Sequence, residues 1–437
     1  MRVETVAAPV RYRRGPLLAL LVIAIVPAVG LSLVYGWADA EAERYDDSRS
    51  AVEQVSGADP PRRVRAATEL RAPLYDLRRA PESAARLASA NRLRRQLRPV
   101  WQFVDDDSCA AVSVNGIRTG AVNATTPVRP ASNQKLFTAA VALETLGPDH
   151  RYATRVVGPR PRRGVIQGDI HLVGGGDPLL TADDFPIDED RRPAFHTTSL
   201  DSLADQLVSS GVTTVEGAVL GDGSRYDDEW FVDSWGDGVA FEDAGPYDAL
   251  LVNDARRVGS ASVQSDPNDA AAEEFVRLLT ERGVVVTGGA GTGEAPDRRR
   301  VLASVRSARL EKVVEEMLVN SDNNTAEMVL KEIGYVVRGE GTRVAGLNVV
   351  DSTLRSWDIP MDGVRALDGS GLSLDNRVTC AAVLALLQRE ADGPLPGLLP
   401  VAAQSGTLAR EFTESPMAGR MAAKTGTLEN LPVEEGP

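Results

Sequence analysis

Between about residue 155 and residue 300 the chain changes texture. Short β-branched runs (VVGPR, GVIQGDIHLVGGGDP, TTVEGAVLGDGS) are separated by Gly, Pro and Asp turns. On the N-terminal side, Leu136, Phe137, Ala140, Val141, Leu143 and Leu146 recur at helical spacing until Gly147-Pro148 stops them. On the C-terminal side, helical texture returns at AAAEEFVRLLTERG and dominates from Leu310. Such a chain folds as one domain interrupted by a mostly β insertion, and 437 residues leave room for two or three domains. No internal repeat is visible. VGGGDP, Val173 to Pro178, lacks the Gly-Lys-Ser/Thr ending and the following helix of a phosphate loop, so it reads as a tight turn. Upstream, Asn115-Gly116 within an alternating stretch that starts at Cys109 signals a β-hairpin.

Arg11, Arg13 and Arg14 precede an uncharged run from Gly15 to Ala38. Residues 1–40 therefore read as a membrane anchor or a signal peptide. The positive flank stays in the cytoplasm and everything after Ala38 lies outside. The run is nearly long enough to span a bilayer, whereas Ala38-Asp39-Ala40 resembles a cleavage site. Residues 41–95, rich in Arg, Ala, Glu and Asp, read as a charged, partly helical spacer. Outside the cell Cys109 and Cys380 could pair, or remain two buried thiols. A net charge of −14 argues against nucleic acid or an anionic membrane surface as partner. The three histidines show no metal-ligand spacing, so a metal centre and a Ser-His-Asp triad are not expected, and no cofactor is called for.

Lysine is scarce: of 48 basic residues, 44 are arginine and only Lys135, Lys312, Lys331 and Lys424 are not. Two of these four stand in chemically suggestive places. Ser132 and Lys135 open the apolar helix, on one face of its first turn. Ser132 reads either as a helix N-cap or as a nucleophile with an amine in reach of its proton. Three residues past a capping serine a helix favours Glu or Gln, and its first turn favours negative charge, so Lys135 runs against both preferences. Further on, Ser321, Asp322 and Asn323 lie between two helical runs, either as a cap and solvated turn or as polar groups facing a cleft. Last, Lys424-Thr425-Gly426 ends a short apolar stretch. Lys424 and Thr425 would project from a strand, while Gly426 leaves its backbone open to close approach.

Ser-x-x-Lys, Ser-Asp-Asn and Lys-Thr-Gly in that order form the signature of penicillin-binding proteins and class A β-lactamases. The chain resembles the D-alanyl-D-alanine carboxypeptidases of the penicillin-binding-protein-4 type, peptidase family S13, over roughly residues 96 to 428. PASNQKLFTAAVALETLGPDHRYAT, GDIHLVGGGDPLL, NSDNNTAEMVL, DGSGLS and LPVAAQSGTLAREF carry the likeness. The long gap between the first two motifs suits these carboxypeptidases, which carry an insertion there, and not the β-lactamases. The resemblance implies an α+β fold. A transpeptidase-like domain (96–155 and 300–437), an antiparallel sheet flanked by helices, would carry the inserted domain (156–299).

The resemblance also implies an exported serine D-Ala-D-Ala carboxypeptidase and endopeptidase acting on peptidoglycan stem peptides through an acyl-enzyme, and trapped by β-lactams. Ser132 would be the nucleophile and Lys135 its base, neutral through burial and the nearby Lys424 charge. Ser321 and Asn323 would relay a proton and hold the substrate amide. Lys424 and Thr425 would bind the terminal carboxylate, with the substrate laid along the Lys-Thr-Gly strand. The N–H groups of Ser132 and Thr427 would form the oxyanion hole. Two departures accompany it. Where the family often carries an arginine for the stem side chain, this chain has Leu374, with Arg377 three residues on. Only 11 residues follow Gly426, so the further strands and C-terminal helix of the family are expected to be missing and the product impaired. That leaves a tethered, inactive wall-binding protein as an alternative reading, and a β-lactamase or esterase as another.

Overall fold

A computed structural model describes residues 80–186, 196–236, 239–260 and 262–428. The anchor or signal expected over residues 1–40, most of the charged spacer, and the chain after Leu428 lie outside the described residues. Among the described residues, no helix is long and apolar enough to cross a membrane.

Helix α1 (Ala80–Leu97) runs past the boundary expected near residue 95 and packs on the following hairpin. Its Ala90 is buried, and Arg94 Nε donates to the Thr119 carbonyl at 3.1 Å. The hairpin is the expected one: β1 (Ala110–Val114) and β2 (Ile117–Val122) pair antiparallel. Asn115 and Gly116 between them both take positive φ, 51° and 77°. Helices α2 (Lys135–Thr145), α5 (Leu310–Val319), α6 (Asn323–Arg338), α7 (Arg343–Ser356) and α8 (Cys380–Arg389) share one apolar core, with α2 buried over nearly its whole length. A helix that is apolar on every face has to be surrounded, so α2 sits at the centre of this layer. Cys109, just before β1, and Cys380, opening α8, form a disulfide that ties the hairpin to the helical layer across 271 residues.

The insertion is a second body of core with its own sheet, in the order β6 (Ala290–Thr292), β5 (Val219–Asp222), β4 (Ile170–Val173), β3 (Ala153–Gly158), β7 (Arg300–Arg306). The expectation of a mostly β insertion needs correcting. β4, β5 and β6 are mutually parallel, and parallel neighbours require crossovers, here α3 (Asp201–Ser209) and α4 (Pro267–Glu281). Both helices bury their apolar face on the sheet, so the insertion is a mixed α/β layer. The entry strand β3 and exit strand β7 pair antiparallel, with Gly158 opposite Arg300, which closes the insertion on itself. The last motif also departs from the expected strand. Beyond the bridge between Val401 and Ala422 and the Ala423 N–H that donates to the Pro400 carbonyl at 3.1 Å, residues 424–428 pair with no described backbone, so Lys424 and Thr425 sit on an unladdered segment and not within a strand.

Candidate active site

All eight residues singled out in the sequence converge. Ser132 is not a helix N-cap. It lies inside a 3-10 turn (Ala131–Gln134) that feeds directly into α2, and the N-cap position, Gln134, makes no side-chain cap bond. Ala131, just before it, holds a left-handed φ of 47°, a conformation that costs an alanine about 1 kcal/mol. Opposite, Ser321 also sits at a positive φ, 59°, between α5 and α6. Asp322 takes the capping role there, accepting from the Thr325 N–H at 2.6 Å. Two strained residues thus flank one cleft, as expected where surrounding structure over-determines a functional geometry.

The centre of the site is Lys135. Its Nζ donates to Ser132 Oγ at 3.0 Å, to Asn323 Oδ1 at 2.6 Å and to the Ser370 carbonyl at 2.8 Å, and its side chain is fully buried. Asn323 Nδ2 in turn donates to the Asp243 carbonyl at 2.7 Å, which fixes the orientation of its amide. Lys424 Nζ donates to Ser321 Oγ at 2.8 Å and to the Thr425 carbonyl at 2.7 Å. Thr425 Oγ1 reaches Thr407 Oγ1 at 3.0 Å. Gly426 is where the backbone comes closest to the serine turn: an added Cβ would lie 2.8 Å from Asn133 Nδ2 and 2.9 Å from the Pro130 carbonyl. Ser132, Ser321, Asn323, Thr425 and Thr427 line a cleft of about 230 Å³, walled by Trp235, Val239, Leu372 and Leu374.

Burial lowers Lys135 from its ordinary 10.5 to about 8, against the opposing pull of Asp322, Glu327 and Asp368. Burial, and then the charge of Lys135, lowers Lys424 to about 7. Two amines are therefore held near neutrality, one against each serine. Such an arrangement can deprotonate a hydroxyl while keeping a cation beside it.

Several residues of the site carried no assigned role in the sequence. Glu327 and Asp368, both fully buried, lie beneath the Asp368–Ser373 loop. Glu327 accepts the N–H groups of Gly369 and Ser370, and Asp368 accepts those of Gly371 and Ser373 and the Trp235 indole N–H. Together they aim the Ser370 carbonyl at Lys135. DGSGLS was legible as a family loop, but the carboxylate under it, four residues past Asn323, was not. Arg377 does not stand in for the arginine absent at Leu374. It donates to the Leu374 and Asn376 carbonyls at 2.7 and 2.8 Å, so it braces that loop and does not line the cleft.

With this geometry in place, likeness to known proteins becomes informative. Residues 106–263 and 250–432 match the model of the D-Ala-D-Ala carboxypeptidase 3 (S13) family. A D-alanyl-D-alanine carboxypeptidase of Actinomadura sp. (strain R39) is 31% identical over 392 residues, covering 70% of each chain. Carboxypeptidase Rv3627c of Mycobacterium tuberculosis is 34% identical over 316 residues, 69% of this chain and 66% of that one. The chain thus spans about two thirds of the length of these relatives. Among solved structures, penicillin binding protein 4 (dacB) from Haemophilus influenzae shares the fold with a TM-score of 0.64 at 20% identity, over 76% of this chain and 87% of that one.

Proposed function

This chain belongs to the D-Ala-D-Ala carboxypeptidase 3 (S13) family of hydrolases, and on that premise we propose that it is an exported serine D-alanyl-D-alanine carboxypeptidase and endopeptidase of peptidoglycan, working through an acyl-enzyme. The observation that carries the reading is the buried Lys135 amine, hydrogen-bonded at once to Ser132 and Asn323 and lowered toward neutrality. Neutral Lys135 takes the Ser132 proton as Oγ attacks the carbonyl of the penultimate D-Ala. The N–H groups of Ser132 and Thr427 receive the developing oxyanion, each worth about 3 kcal/mol in such sites. The proton passes by way of Ser321 to the leaving amine of the terminal D-Ala, whose carboxylate rests on Lys424 and Thr425. Water then hydrolyses the Ser132 ester and returns the enzyme. The substrate lies against residues 424–427, whose backbone donors and acceptors are not engaged in a ladder. Asn323 holds its amide. In this reading residues 156–299 act as an inserted domain on a transpeptidase-like catalytic domain, and everything after Ala38 works outside the cytoplasm.

Intact mass after incubation with benzylpenicillin tests the proposal. The full chain is expected to gain one drug mass and the Ser132→Ala variant to gain none. A folded chain that gains no mass, or a Ser132→Ala variant that labels like the parent, overturns it.

A further inference from the structure

The insertion carries a feature that the hydrolytic site does not use. β3 ends at Gly158, opposite Arg300 at the start of β7. From Gly158 the chain runs on through Pro159-Arg160-Pro161-Arg162-Arg163. Arg162 and Val165 then exchange backbone hydrogen bonds of 2.8 and 3.0 Å, with Arg163 and Gly164 at φ 53° and 84°. β7 is entered through Arg298-Arg299. The register therefore brings Arg160, Arg162, Arg163, Arg298, Arg299 and Arg300 to one end of the sheet. All six are exposed. Among the described residues none of them makes an ion pair, whereas Arg225, Arg277, Arg282 and Arg343 are all matched with carboxylates. Acidic residues near this end include Asp169, one of whose oxygens is taken by the Ala218 N–H, Glu216, whose N–H donates to the Ile166 carbonyl, and Asp297. A shallow cleft opens between Pro159, Arg160, Pro161, Arg162 and Gln167. None of the six lines the catalytic cleft.

We propose that this arginine face docks the peptidoglycan polymer, holding carboxylates of stem peptides neighbouring the one in the cleft; the proposal rests on the substrate reading above. Sign, geometry and number all favour this occupant. The chain carries a net charge of −14, so six unmatched guanidinium groups in one place oppose the field of the rest of the molecule. A guanidinium fork fits a carboxylate in two-point fashion. Each exposed contact is weak and screened by salt. A polymer that presents its stem carboxylates in series engages several such contacts at once, and a soluble stem peptide does not. The face thus distinguishes wall polymer from free peptide without touching the reaction.

The test uses the full chain and two variants, Arg160→Gln/Arg162→Gln/Arg163→Gln and Arg298→Gln/Arg299→Gln/Arg300→Gln. Co-sedimentation with insoluble peptidoglycan stripped of phosphate polymers is measured against salt, alongside penicillin labelling and D-Ala release from a soluble pentapeptide. Both variants are expected to lose about ten-fold in retention, and the parent to fall to their level in high salt. Labelling and release from the soluble peptide should stay within about two-fold of the parent. Retention equal to the parent's in both variants overturns the proposal. So does parent binding that requires the phosphate polymers left in place, which would assign the face to a phosphodiester polymer. Absence of labelling in the parent would refute the enzymatic reading separately, since sedimentation reports the docking on its own.

Discussion

The two lysines make a quantitative prediction for the pH dependence of acylation. At its ordinary value of 10.5, Lys135 would be neutral in only about one molecule in 3,000 at pH 7; lowered to about 8, it is neutral in about one in eleven. Burial therefore raises the fraction of neutral Lys135 by about 300-fold. Lys424 must keep its proton to hold a carboxylate, yet it is lowered to about 7 by burial and by Lys135. The repulsion acts on whichever amine holds the second proton, so the pair titrates as one system with apparent values near 7 and 8. The productive form carries one proton, placed on Lys424. Its population peaks near pH 7.5 and falls about seven-fold by pH 6. Carrying out benzylpenicillin acylation under kcat/KM conditions from pH 5 to 10 should give a narrow bell. In Lys424→Met the acidic limb should move up from about 7 to about 8, because the remaining amine no longer has a charged neighbour to help expel its proton. A profile rising only above pH 10, or an acidic limb unmoved in Lys424→Met, would refute the reasoning.

Three further outcomes follow from the same structure. Gly426→Ala places a methyl within 2.9 Å of Asn133 and Pro130, pushing residues 425–427 off the serine turn; acylation should slow about 100-fold, measured by stopped-flow, with the melting temperature nearly unchanged. Replacing Cys109 and Cys380 by serine releases a 271-residue loop, for which loop-closure entropy gives about 5–6 kcal/mol; calorimetry should show a melting temperature lower by about 10 °C, and an unchanged value would mean the disulfide constrains nothing. Burial, then the Asp368 charge, raises the Glu327 carboxyl to about 7. A carboxyl raised in the fold contributes its stability fully below about pH 4.5 and loses it as pH climbs through about 7. Glu327→Gln should flatten the decline of unfolding free energy between pH 5 and 8, and a slope like the parent's would show that Glu327 does not ionise there.

What could be read from the chain itself was local or was carried by motif order. The Asn115-Gly116 turn is legible because only its own two backbone conformations are at stake. Ser132 and Lys135 meet because three residues of helical rise put them on one face, and the scarcity of lysine marks the pair. Tertiary structure decided the rest. Ser370, 235 residues beyond Lys135, supplies a carbonyl to its amine. The Glu327 and Asp368 carboxylates that aim that carbonyl matter only once the Asp368–Ser373 loop is folded over them. The pairing of Cys109 with Cys380, the parallel β4–β5–β6 order and the diversion of Arg377 to bracing are of the same kind. Periodicity and turn chemistry record what each residue does to its neighbours along the chain. Which buried polar group answers which is settled only when packing removes water and leaves each one to find a partner inside.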